Sequence, residues 1–133
     1  MTLMAHTQQM LHEEDPAGKI EKELGDVTGI ELFTNQLLVA VYQRPEKTKS
    51  GIYLAGQTRD EDQYQSKIGL VVKKGPQAFV GGESGWQFAD VNIGDWVIFR
   101  PSDGWATAIN GVLCRFLVDT SIKGRVVSPD LVW

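Results

Sequence analysis

Cysteine is nearly absent: Cys114 is the only one in 133 residues. A lone thiol cannot close an intrachain disulfide, and its apolar sequence neighbours mark it as a small buried residue with no message about redox compartment. Histidine is almost as scarce. His6 and His12 stand near Glu13, Glu14 and Asp15, but their spacing is no helical i, i+4 pair and no cysteine accompanies them. Both are therefore read as solvated, with no metal expected. Positive charge is not in excess: 13 Lys and Arg face 17 Asp and Glu, for a net charge of −4. That argues against a sequence-independent nucleic-acid binder or an anionic-membrane binder, and the pairs Lys47/Lys49 and Lys73/Lys74 are too small to reverse it. No run reaches the ~18–20 apolar residues of a membrane span. No basic segment followed by an apolar core opens the chain, so no secretory signal is expected. These absences point to a protein that works in the cytoplasm or assembles there.

Catalytic and cofactor signatures are missing as well. Gly81-Gly82-Glu83-Ser84-Gly85 is glycine-rich, but it fits neither GxxxxGK[ST] nor GxGxxG before a helix, so it is not read as a phosphate loop. Asp60, Glu61 and Asp62 form a charge run read as solvated. Asp95 and Asp103 fall in turns, where aspartate serves through side-chain hydrogen bonds. No Ser-His-Asp order and no metal spacing can be assembled. An enzyme is not expected, nor a cofactor.

The sequence does contain 42% hydrophobic and 23% charged residues, an ordinary globular composition with enough length for one core. Asp15-Pro16, Ile20, Leu24 and Gly25 spell an N-cap, a proline at the first helical position, one apolar face and a terminal glycine. They predict a short helix over 16–24. From Ile30 the pattern turns to strands. Leu37–Tyr42 is apolar on both alternating faces, and Arg44-Pro45 ends it. Ile68–Val72 follows, punctuated by Gly75-Pro76. Phe79-Val80 and Trp86–Phe88 flank the glycine-rich tip as a hairpin over 77–90. Trp96–Phe99 reads as a buried strand. Trp105–Ile109 and Val112–Val118 are joined by Asn110-Gly111, the strongest short hairpin signal in the chain. Ile122–Val127 is the last apolar run. Roughly seven short strands and no long helix predict an all-β barrel or sandwich.

Between Leu37–Tyr42 and Ile68–Val72 lies a long polar stretch, 45–66, far beyond the ~4–6 residues of a bare connector. It carries Ile52, Tyr53 and Leu54 between Ser50-Gly51 and Ala55-Gly56. Two readings are open: a short extra strand, or an arm with an apolar tip that orders on binding.

The order of these parts resembles the small co-chaperonin family, of which GroES is the type member. The likeness rests on Leu37–Val41, on Lys47-Thr48-Lys49-Ser50-Gly51-Ile52-Tyr53-Leu54, and on Gly69–Val72 with Gly75-Pro76. It continues through Asn92-Ile93-Gly94-Asp95-Trp96-Val97-Ile98-Phe99 and, in apolar pattern, Arg115–Val127. The resemblance implies a partly open GroES-like β-barrel over 30–127. The residues outside it read as an appended N-terminal arm with possible short helices at 1–29 and a tail at 128–133. It implies a mobile loop whose Ile52, Tyr53 and Leu54 bind a chaperonin ring, with Pro45, Gly51 and Gly56 as hinges. It also implies a roof hairpin carrying Gly81, Gly82 and Gly85, and a homo-oligomer, seven-membered by family analogy, with 37–42 and 115–127 as subunit contacts. Nucleotide would be bound by the partner. Tyr53 stands where the family has an aliphatic residue, and the arm and tail run beyond the family's usual ends. An alternative expectation keeps the barrel but places it in a virion. There a capsid decoration or head protein would use the arm, loop and tail to clamp neighbouring viral coat protein subunits.

Overall fold

The computed structural model describes residues 12, 14–44, 66–80 and 91–132. Within these the chain runs α1 (Pro16–Leu24), β1 (Gln36–Val41), β2 (Ile68–Lys74), β3 (Trp96–Ile98), β4 (Trp105–Ile109), β5 (Val112–Val118) and β6 (Gly124–Val126). Single 3-10 turns follow β5 at Asp119–Ser121 and close the described chain at Pro129–Val132. The strands form one antiparallel sheet in the order β4-β5-β1-β2-β3-β6. Mostly β, with one short helix and a sheet left open between β4 and β6 among the described residues, the architecture is that of a GroES-like, partly open barrel.

Local chemistry accounts for the elements. The Asp15 side chain accepts the Gly18 N–H at 3.2 Å, Pro16 opens α1, and Gly25 at φ 70 stops it. The Asn110-Gly111 turn has φ 50 and 81, so both central residues sit in the left-handed region that a tight two-residue hairpin needs. Gly69 of β2 is fixed by a close approach instead. A β-carbon there would fall 2.1 Å from Val39 Cγ1 and 2.9 Å from the Ala40 carbonyl.

Period-2 alternation gives the sheet two buried faces. Leu38, Ala40, Tyr42, Ile68, Leu70, Trp96 and Cys114 pack with Ile20 and Leu24 of α1 on one face. Leu37, Val39, Val71, Val97, Phe99 and Leu117 pack with Ala78, Phe79 and Val91 on the other. A register shift between Leu38 and Val39 interrupts the β1–β2 ladder. Beyond it, Lys73 Nζ donates to the Val27 and Ile30 carbonyls, tying down the segment between α1 and β1.

Several expectations are corrected here. Strand 37–42 was expected to contact a neighbouring subunit. β1 instead lies between β5 and β2, with Leu37, Leu38, Val39 and Ala40 each 0% exposed, so its edges and faces are used within the subunit. Arg115–Val118 is likewise interior to the sheet. Of the expected contact strands, only β6 keeps an open edge among the described residues. The upstream arm of the 77–90 hairpin is not a strand either. Phe79 sits at φ 58 in a turn, with its ring buried. His12 was read as solvated, yet its side chain is only 22% exposed and is held by the tail.

Candidate functional site

The side chains singled out in the sequence, Ile52, Tyr53 and Leu54 with Pro45, Gly51 and Gly56, lie outside the described residues, as do Gly81, Gly82 and Gly85. The structure does show the roots from which both segments leave. They sit at opposite ends of β1, separated by roughly 20 Å at ~3.3 Å per strand residue.

At the exit of β1, the Tyr42 N–H donates to the Ile68 carbonyl at 3.1 Å, and the Phe99 N–H to the Lys67 carbonyl at 2.9 Å. Buried Ser66 closes a small turn on Ile68, donating to its carbonyl at 3.1 Å and accepting its N–H at 3.3 Å. Residues 42 and 68 are thus hydrogen-bonded on either side of the 45–65 segment. Tyr42 is 1% exposed, with its ring edge-on to Trp96 at 5.6 Å. Its hydroxyl donates to Asp130 Oδ1 at 2.7 Å. Burial, with that bond second, holds the phenol above the usual tyrosine range. His12 Nε2 lies 3.2 Å from both Asp130 oxygens and 3.1 Å from the Tyr42 hydroxyl. A pocket of about 200 Å³ opens beside this cluster, lined among others by His12, Lys19, Ile20, Tyr42 and Val112.

At the other end, Asp119 is buried, 4% exposed, and joins three elements. Its carboxylate accepts Asn35 Nδ2 at 2.9 Å and the Phe79 N–H at 3.1 Å. Its own N–H donates to the Asn35 carbonyl at 3.1 Å. The turn before β1, the turn after β2 and the turn after β5 are therefore fastened together where the 81–90 segment departs. On the far side of that segment, the Val91 carbonyl accepts Lys74 Nζ at 2.9 Å. Asp95 behaves as expected of a turn aspartate, accepting the Asn92 N–H at 2.9 Å, and it also meets Arg125 at 3.2 Å. Asp119 and Asp130 were missed in the sequence. An acid at the end of an apolar strand, and another in an apolar tail, were the available signals.

The residues described hold no group of three or more His, Cys, Asp or Glu side chains arranged for a metal, and no helix long and apolar enough to cross a membrane. What the geometry offers is a sheet with two hydrogen-bonded loop roots, one at each end.

The fold defines the class first: a small, mostly antiparallel, partly open β-barrel. Residues 29–126 match the family model described as Cpn10, Chaperonin 10 Kd subunit, and the chain belongs to that family. A search of individual curated proteins finds no match. Membership carries a co-chaperonin-like role in general terms, with a chaperonin ring as the class of partner and self-association as the general habit; members of the family are not enzymes.

Proposed function

We propose that the chain is a co-chaperonin that caps a chaperonin ring through the apolar tip Ile52-Tyr53-Leu54, as part of a seven-membered assembly. The observation that carries this reading is the family match over residues 29–126, a span that includes the 45–66 segment and both of its roots. Burying the three side chains in an apolar groove would contribute ~1.5–3 kcal/mol each before ordering costs. A segment that orders on docking binds weakly alone. Several copies on one ring act together, so capture is tight overall yet reversible. No catalytic residue is needed, because the partner's nucleotide state controls when the groove is presented.

The test is capture by a chaperonin double ring from the native host, with ATP, with ADP and without nucleotide. Nucleotide-dependent capture is expected, and a variant with Ile52→Ser, Tyr53→Ser and Leu54→Ser should lose it while keeping its folded stability. Absence of capture by the unmodified protein in every nucleotide state would overturn the reading.

A further inference from the structure

Two stretches outside the family match meet at one residue inside it. The match covers 29–126, so His12 precedes it and Asp130 follows it. Both reach the hydroxyl of Tyr42, which sits one residue past the end of β1 at the root of the 45–65 segment. At 2.7 Å the phenol–carboxylate bond is in the short, charge-assisted range. Tyr42 is almost wholly buried, and the Asp130 side chain is 14% exposed. Opening the contact would therefore break a short bond whose two residues are largely buried. Both flanks are independently anchored. Ile20 and Leu24 bury α1 against the β1–β5 face, and the Pro129–Val132 turn packs on β2 and β6.

We infer that His12, Tyr42 and Asp130 form a positioning cluster. It seats the arm and the tail on the end of β1 and holds the root of the 45–65 segment in one geometry. Its role in docking rests on the co-chaperonin reading. A root fixed in advance has less freedom to lose when a partner binds, so docking is tighter. By linkage, docking and the seating of the two termini favour each other by the same factor. The His12 and Asp130 positions lie outside the residues that the family model matches, whereas Tyr42 lies within them.

The test is amide hydrogen exchange together with chaperonin capture, on the full-length protein and on Tyr42→Phe and Asp130→Asn. Tyr42→Phe keeps the ring against Trp96 and removes only the hydroxyl. Exchange in Pro16–Leu24 and Pro129–Val132, and at the root amides of Tyr42 and Phe99, should quicken about tenfold, the size of one lost hydrogen bond to a charged group. Amides of Val39 and Val97 should not change, and capture should weaken several-fold. Unchanged exchange in both variants would overturn the cluster. Faster exchange at the termini alone, with root amides and capture untouched, would overturn its positioning role. Should Tyr42→Phe fail to fold, Asp130→Asn, which lies outside the sheet, decides the matter alone. If the unmodified protein captures no ring, the co-chaperonin reading falls, and the root amides still decide the cluster.

Discussion

Asp119 is the residue whose loss the fold should feel most for its size. Its carboxylate satisfies a side-chain amide and a backbone N–H, and the latter belongs to Phe79. Phe79 is a bulky residue at φ 58, a backbone region that such side chains adopt only when surroundings compel them. The carboxylate bond to the Phe79 amide and the burial of its ring against the β1 face both help to hold it there. Asp119→Ala removes the acceptor from both donors and takes one support from the left-handed turn. With hydrogen bonds to charged groups worth ~1.5–3 kcal/mol each, a loss of about 3 kcal/mol is expected in urea unfolding. Asp119→Asn keeps one acceptor oxygen and should lose about half as much. A loss below about 1 kcal/mol for Asp119→Ala would remove Asp119 as the organiser of this end.

At the scale of elements, the helix illustrates what a sequence can and cannot say. Its caps are local, so Asp15, Pro16 and Gly25 were enough to bound it at Pro16–Leu24. The β4–β5 hairpin was legible for the same reason, since Asn110-Gly111 supplies the two left-handed residues within the turn itself. Where the helix lands was not legible. Asn110 Nδ2 donates to the Leu24 carbonyl at 2.6 Å, across 86 residues, so the hairpin tip also caps the C-terminus of α1. The bonds of Asp119 to Asn35 and of Tyr42 to Asp130 span 84 and 88 residues and leave no periodic trace either. Pattern reading finds contacts that repeat every two or 3.6 residues; single long-range polar bonds have no period to find. The tip tripeptide was singled out by contrast with its polar neighbours, a signal of composition that says nothing of placement. The double duty of Asn110 gives a prediction. Asn110→Gly keeps the turn's backbone freedom and removes only the cap, so it should loosen α1 without disturbing β4 and β5. Amide exchange in Pro16–Leu24 should rise several-fold while Leu113–Leu117 stays protected; equal acceleration of both would show that the turn, not the cap, was lost.

For the whole molecule, the question is whether the added arm is a rider on the barrel or part of one cooperative unit. The face it covers is apolar on its own account: Leu38, Ala40, Ile68, Leu70 and Cys114 are each 0% exposed beneath and beside α1. An apolar face of this kind would otherwise meet water, so the arm completes a core. Cys114 reports on it. Burial pushes its thiol up to about 11, and burial also raises the Tyr42 phenol on the same face. Both are acids that are neutral when protonated. In the unfolded chain they ionise in their ordinary ranges, while the folded protein keeps their protons. Between about pH 9 and 11 the folded state therefore binds more protons than the unfolded state, and stability falls as pH rises through that window. Urea midpoints should be level from pH 7 to 8 and should decline from pH 9 to 11, with a shallower decline in Cys114→Ala. Thiol alkylation at pH 8 separates the two views of the arm. If the arm and barrel open together, alkylation follows global unfolding and its rate scales with urea as the full transition does. If α1 lifts off alone, Cys114 reacts quickly with almost no urea dependence while the sheet stays intact. The second result is expected, because Ile20 and Leu24 are the only buried residues of α1, so the helix opens ahead of the sheet it packs on.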